Sequence, residues 1–136
     1  MTAPRMRALD TNVLVRYLVN DDPAQAAVAD RILDDCRRKR EPVFLSILVL
    51  CEMVWVLARS FDQSKSEIVE VLERILDLDL FRVEREPLVR RSLEHFRRGK
   101  GNFADYLIGE IGNEAGCRDT VTFDRALKDA PGFRIL

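Results

Sequence analysis

A chain of 136 residues with 47% hydrophobic and 33% charged side chains is sized for one domain with its own core and has neither the composition of a disordered segment nor low complexity. The formal net charge of −1 excludes a global positive field, so a nucleic-acid partner would have to be held by local basic patches. Three widely spaced cysteines, Cys36, Cys51 and Cys117, fit neither a disulfide framework nor a zinc-ligand spacing and read as reduced thiols.

Short apolar segments alternate with helical patterns along the chain, which is the signature of an α/β domain with a mostly parallel sheet. The first strand is expected at residues 6–9 and a first helix at 12–18. Asp22 and Pro23 then supply an N-cap and a first-turn proline for a second helix. Its apolar stripe reads as Ala24, Ala27, Val28 and Ile32, and it ends in the basic cluster Arg37, Arg38, Lys39 and Arg40, which suits a helix C-terminus. The second strand is Val43–Leu45. Ser46 caps a helix over 47–57, and Ser64 with Glu67 forms a capping box for the next, whose buried face is Ile68, Leu72, Ile75 and Leu76. A short strand over 80–83 follows. Pro87 opens a helix ending near His95 and Phe96. Asn102 can cap one whose buried face is Ala104, Leu107, Ile108, Ile111 and Ala115, with Gly116 as its stop. A fourth strand at 119–123, a short helix from Asp124 and a strand at Phe133–Ile135 complete a central, mostly parallel sheet of four to five short strands flanked by helices. No linker divides the chain, so residues 1–136 read as one domain.

Glu52 is the only charge in the run VFLSILVLCEMVWVLA at 43–58. A carboxylate in apolar surroundings must be protonated, hydrogen-bonded, paired or metal-bound, so Glu52 is either a buried partner of an arginine or a functional group. Asp10 closes the first strand and Asp124 follows the fourth, and the carboxyl ends of parallel strands are where ligands bind in open α/β sheets. Asp105 lies in the first turn of its helix. Right-handed crossovers would return Asp105 and Glu52 to the same rim, so the four acids are expected to converge. Asp10 and Asp124 also read simply as helix N-caps, and Asp105 as a complement to its helix dipole.

Converging carboxylates repel one another unless a divalent cation compensates them, and an all-oxygen set suits Mg²⁺ or Mn²⁺. Such a metal can acidify water and neutralise a phosphoryl oxygen, which is the equipment of phosphodiester hydrolysis. Along the fourth strand Thr120, Thr122 and Asp124 share one side and Val121 and Phe123 the other. Asp105, Gly109, Gly112 and Gly116 make a small-residue helix stripe, read as a place of close packing.

The segments LDTNVLVRYLVNDD (9–22), GNFADYLIG (101–109) and TFDRAL (122–127), with Glu52 in its apolar helix between them, resemble the PIN domain of VapC-type ribonuclease toxins. The resemblance covers nearly the whole chain in order. It implies a site of Asp10, Glu52, Asp105 and Asp124 holding one or two Mg²⁺ or Mn²⁺ ions, with Asn12 and Thr122 as polar neighbours that orient ligands. Asn102 stands where many relatives carry a further aspartate. The resemblance also implies an RNA substrate, a VapB-type antitoxin partner and a homodimer.

Arg97, Arg98 and Lys100 are the basic residues nearest Asp105 and are candidates for holding substrate; they also read as a solvated helix end. Arg16 and Arg125 follow Asp10 and Asp124 and could contact phosphate or bridge carboxylates. Trp55 and Phe61 are expected in a core or a subunit interface. The N-terminus lacks an apolar targeting segment, and no run spans a bilayer, so a cytoplasmic location is expected. The leading expectation is a metal-dependent endoribonuclease. A haloacid-dehalogenase-like phosphatase with Asp10 as nucleophile and a catalytically silent binding module are the alternatives.

Overall fold

Six α-helices and five short strands alternate through residues 5–136, which are the residues described by this computed structural model. They form two compact units that divide in the sequence between Glu84 and Arg85.

The first unit contains β1 (Arg7–Ala8), α1 (Thr11–Leu18), α2 (Pro23–Lys39), β2 (Val43–Leu45), α3 (Ile47–Ser60), α4 (Lys65–Asp77) and β3 (Phe81–Val83). Its strands pair in the order β1-β2-β3, all parallel, with Arg7 opposite Val43 and Val43 opposite Phe81. Parallel neighbours need a crossover, and each is made here by two helices. All four helices open on a side-chain cap: Asp10, Asp22, Ser46 and Ser64 each accept the N–H of the residue three positions on. The Ser64–Glu67 capping box is complete, with the Glu67 carboxylate accepting the Ser64 N–H at 3.0 Å.

Burial follows the expected face of α4, where Ile68, Leu72, Ile75 and Leu76 are all inside, and departs from it in the two preceding helices. On α2 the buried residues are Ala26, Ala29, Leu33 and Cys36, while Val28 is exposed. On α3 the buried set is Leu50, Met53 and Leu57. Leu48, Glu52, Trp55 and Arg59, spaced by four, three and four, share the outward face, so Trp55 lies on the surface with the Arg59 guanidinium 5.8 Å from its ring centroid. Glu52 is therefore neither buried nor paired with an arginine, because the helix that carries it is buried on one side only.

The second unit contains α5 (Glu86–Arg98), α6 (Phe103–Glu114), β4 (Thr120–Thr122), a 3₁₀ turn at Arg125–Leu127 and β5 (Phe133–Ile135). β4 and β5 pair in parallel as a separate two-stranded ladder, with Thr120 opposite Phe133. All strand pairing is thus parallel as expected, but it is divided between two ladders. Strands of two or three residues contribute few ladder bonds, so their pairing leaves little trace in the residue pattern.

α5 packs on α6 through Phe96 and Phe103, whose rings meet edge-on at 5.8 Å between centroids. Across the same pair of helices Arg91 bonds Glu110 and Glu114 at 3.0 Å, and His95 contacts Glu110 at 3.2 Å, which gives the only histidine a structural partner. α6 buries Phe103, Tyr106 and Leu107, whereas Ile108, Ile111 and Ala115 of the expected face are exposed. Two glycines of the stripe, Gly109 and Gly112, are used for close packing, whereas Gly116 has open space around it and a left-handed backbone with φ of 90°. A Cβ on Gly109 would stand 2.7 Å from the Phe133 ring, and one on Gly112 would stand 3.1 Å from the Thr120 hydroxyl. The hydroxyl side of β4 accordingly faces α6, and Val121 points outward.

Candidate active site

In the first unit, β1 delivers Asp10 to the N-terminus of α1. Its Oδ1 accepts the Val13 N–H at 3.1 Å, so the N-cap reading is correct in geometry and leaves Oδ2 without a partner among the described residues. One residue on, the Thr11 hydroxyl donates to Glu52 Oε2 at 3.2 Å. That bond joins residues 41 apart in sequence and holds the Glu52 carboxylate beside the start of α1. Thr11 is buried and was not among the residues expected from sequence; its only signal was its position directly after the strand-ending acid. Asn12, exposed on the next turn position, lines a groove of about 560 Å³ between α1 and α2 together with Asp10, Arg16 and Val28.

Arg16 does not reach toward the carboxylates. Its guanidinium bonds Gln25 at 2.7 Å and Asp21 at 3.2 Å, closing the α1–α2 corner. Beside Glu52, the half-buried Cys51 thiol is held above its ordinary pKa by burial and, secondarily, by the Glu52 charge. A thiol shifted upward is a poor nucleophile at neutral pH.

In the second unit, Asp105 is the third residue of α6, and its Oδ2 accepts the Asn102 N–H at 2.9 Å. Asp124 caps the 3₁₀ turn, with Oδ1 accepting the Ala126 N–H at 2.9 Å, while its own N–H donates to the Thr122 hydroxyl at 3.0 Å. Thr122 thus sets the backbone on which Asp124 stands. Arg97 and Arg98 both lean back on Glu94, at 3.5 and 2.8 Å.

The four acids share one state. None is buried, each has one oxygen oriented by a hydrogen bond, and among the described residues none is bridged to a lysine or arginine. Asp34, Asp35, Glu94 and Glu110 are ion-paired, whereas the capping residues Asp22 and Glu67 share the unpaired, hydrogen-bonded state of the four. The donors are oxygens alone, a set that fits a hard cation such as Mg²⁺ or Mn²⁺ rather than zinc. The acids divide two and two between the units, Asp10 and Glu52 in the first and Asp105 and Asp124 in the second, and among the described residues neither unit by itself gathers three metal-competent side chains. Among the described residues, no helix is long and apolar enough to cross a membrane.

Residues 7–132 match the family model described as the PIN domain, a span that includes all four acids. The chain belongs to the PIN domain family. It is also 29% identical over 129 residues to the VapC ribonuclease of Aquifex aeolicus (strain VF5), covering 95% of this chain and 94% of that protein. As a PIN domain, the protein is an α/β structure of parallel strands and six helices, and the haloacid-dehalogenase reading is set aside.

Proposed function

We propose that this PIN-domain protein is a metal-dependent endoribonuclease that hydrolyses RNA phosphodiester bonds and acts as the toxin of a VapBC-type pair. The observation that carries this reading is the Thr11–Glu52 bond, which brings Glu52 of α3 to the start of α1 where Asp10 stands; Asp105 and Asp124 are the corresponding acids of the second unit. These four are the positions at which the sequence resembles VapC-type toxins, and each presents a carboxylate oxygen that no cation among the described residues neutralises. An exposed acid kept free of the arginines that pair its neighbours is suited to an external positive charge. The family match and the full-length similarity to a VapC ribonuclease support the same reading, and the span 7–132 supports treating residues 1–136 as one nuclease domain.

In this proposal the four acids are the ligands of one or two Mg²⁺ or Mn²⁺ ions, with Asn12 and Thr122 orienting polar groups beside them. When bound, the metal supplies charge neutralisation at phosphate and an acidified water for in-line attack. The chain's own contribution is orientation: the Val13 N–H aims Asp10, the Thr11 hydroxyl aims Glu52, the Asn102 N–H aims Asp105, and the Thr122 hydroxyl and Ala126 N–H position Asp124. A VapB-type antitoxin, a homodimer and a cytoplasmic setting belong to the same proposal.

The test is RNA cleavage by purified wild type with Mn²⁺ or Mg²⁺, with EDTA, and by Asp10→Asn. Products are expected only from wild type with metal. Equal cleavage in every preparation defeats the metal mechanism, and no cleavage in any favours a silent module.

A further inference from the structure

The second unit contains a cleft of about 680 Å³ whose lining includes Arg98, Lys100, Arg125 and Lys128, opposed by the single acid Asp129. In a chain of net charge −1, such a concentration of cations in one concavity is a local positive patch. Three of the four are uncommitted. Arg98 is tied to Glu94 at 2.8 Å, whereas Lys100, Arg125 and Lys128 have no acidic partner among the described residues.

The backbone holds these three in place. Arg125 opens the 3₁₀ turn and Lys128, its C-cap, follows three residues on with its N–H bonded to the Arg125 carbonyl, a spacing at which side chains eclipse; both line the cleft while Leu127 is buried. Lys100 sits between Gly99 and Gly101, and both glycines press against the Tyr106 ring at the cleft. The Gly101 N–H donates to the Tyr106 hydroxyl at 2.9 Å, which fixes that rim. The cleft is also built from the chain that carries the unit's two candidate acids: Asp105 precedes Tyr106, and Asp124 precedes Arg125.

We propose that this cleft binds the sugar-phosphate backbone of single-stranded RNA, with Lys100, Arg125 and Lys128 each contacting a phosphate. The proposal rests on the ribonuclease reading and adds the surface that holds the strand. Flexible cations on a concave wall whose lining aromatics are the buried Tyr106 and the half-buried, Glu110-bonded His95 fit contact with phosphates rather than readout of bases. Tyr106 is buried and its hydroxyl is already engaged.

The test measures binding of a short, labelled single-stranded oligoribonucleotide in EDTA, where cleavage is absent. Wild type is compared with Lys100→Gln/Arg125→Gln/Lys128→Gln and with a charge-matched control, Arg38→Gln/Lys39→Gln/Arg40→Gln, at the end of α2; circular dichroism verifies that each is folded. Loss of three phosphate contacts at about 0.7 each should lower the salt-dependence slope by about 2, equivalent to about a hundredfold weaker binding at 0.1 M salt, with little change in the control. Equal losses in both triples, or none in the cleft triple, overturn the proposal, as does equally effective competition by a polyglutamate peptide. Metal-dependent cleavage by wild type with unchanged binding in the cleft triple sinks the cleft alone. Cleft-dependent binding without any cleavage sinks the ribonuclease reading and leaves the cleft standing.

Discussion

The hydroxyl of Thr11 lies 3.2 Å from Glu52 Oε2, so the residue that begins α1 orients a carboxylate on α3. Replacing Thr11 with valine keeps the shape and removes the donor. The expected cost is about 0.5–1.5 kcal/mol in urea unfolding, since exposed Glu52 can turn to water. A fall in metal-dependent RNA cleavage larger than that stability loss explains should accompany it. Unchanged cleavage in Thr11→Val would show that this bond does not orient a working group.

Glu67 has its pKa lowered by the Ser64 N–H and then by the Ser64 hydroxyl. A carboxylate whose folded pKa lies below its unfolded value contributes stability that is complete above the ordinary glutamate range and is lost as pH falls through the folded value. Ser64→Ala removes the secondary cause and keeps the backbone N–H, so it should move the Glu67 titration only part of the way up toward that range in side-chain NMR. It should also shrink the acid sensitivity of α4. Removing the cap itself costs about 0.5–2 kcal/mol at neutral pH. A Glu67 titration identical in both proteins would remove the Ser64 hydroxyl as a cause and leave the backbone N–H as the source of the shift.

The loop between α5 and α6 is built around Tyr106. A Cβ on Gly99 would overlap the Tyr106 hydroxyl and stand 2.9 Å from its Cζ, so Gly99→Ala should destabilise by about 1–3 kcal/mol. Tyr106→Phe alone leaves the buried Gly101 N–H unpartnered, at a cost of about 1–3 kcal/mol. The double variant should lose less than the two costs added, by at least about 0.5 kcal/mol, because each change removes part of what the other disturbs. Thermal melts of the four proteins decide it, with strict additivity counting against the contact.

The three thiols should alkylate in a set order. Cys117 is exposed, Cys51 is half-buried and held protonated by burial and by Glu52, and Cys36 is buried. Iodoacetamide followed by peptide mass spectrometry should label Cys117 first and Cys36 last. Glu52→Gln removes the secondary cause of the raised Cys51 pKa and should speed its labelling as pH rises, without altering Cys117. Slower labelling of Cys51 in that variant would contradict the assigned sign.

What could be read in the residues depended on how sharply polar and apolar positions separated. α4 was legible because Ile68, Leu72, Ile75 and Leu76 stand among charges, and the caps Asp22, Ser46 and Ser64 because their chemistry is local. α2 misled because alanines lie on both sides, and the two-position difference between Ala24/Ala27 and Ala26/Ala29 turns the buried face through about 200°, to nearly the opposite side of the helix. α3 is apolar nearly all round, which concealed that Glu52 and Arg59, seven residues apart, mark an outward face. The four acids were visible as residue types in order, whereas the Thr11–Glu52 bond spans 41 positions and leaves no periodic trace. Convergence into one cage was inferred from crossover topology, and neither unit by itself supplies more than two of the acids.

Lys100 is the one free choice in a three-residue turn. On either side of it any added carbon strikes the tyrosine ring or Leu127, so drift at 99 and 101 is closed off. The central position bears an exposed side chain, and its replacement leaves the main chain undisturbed. Divergence among otherwise equivalent proteins can therefore collect at this single place, and a one-codon change there would exchange a positive tip for a neutral or negative one without rebuilding the scaffold that presents it.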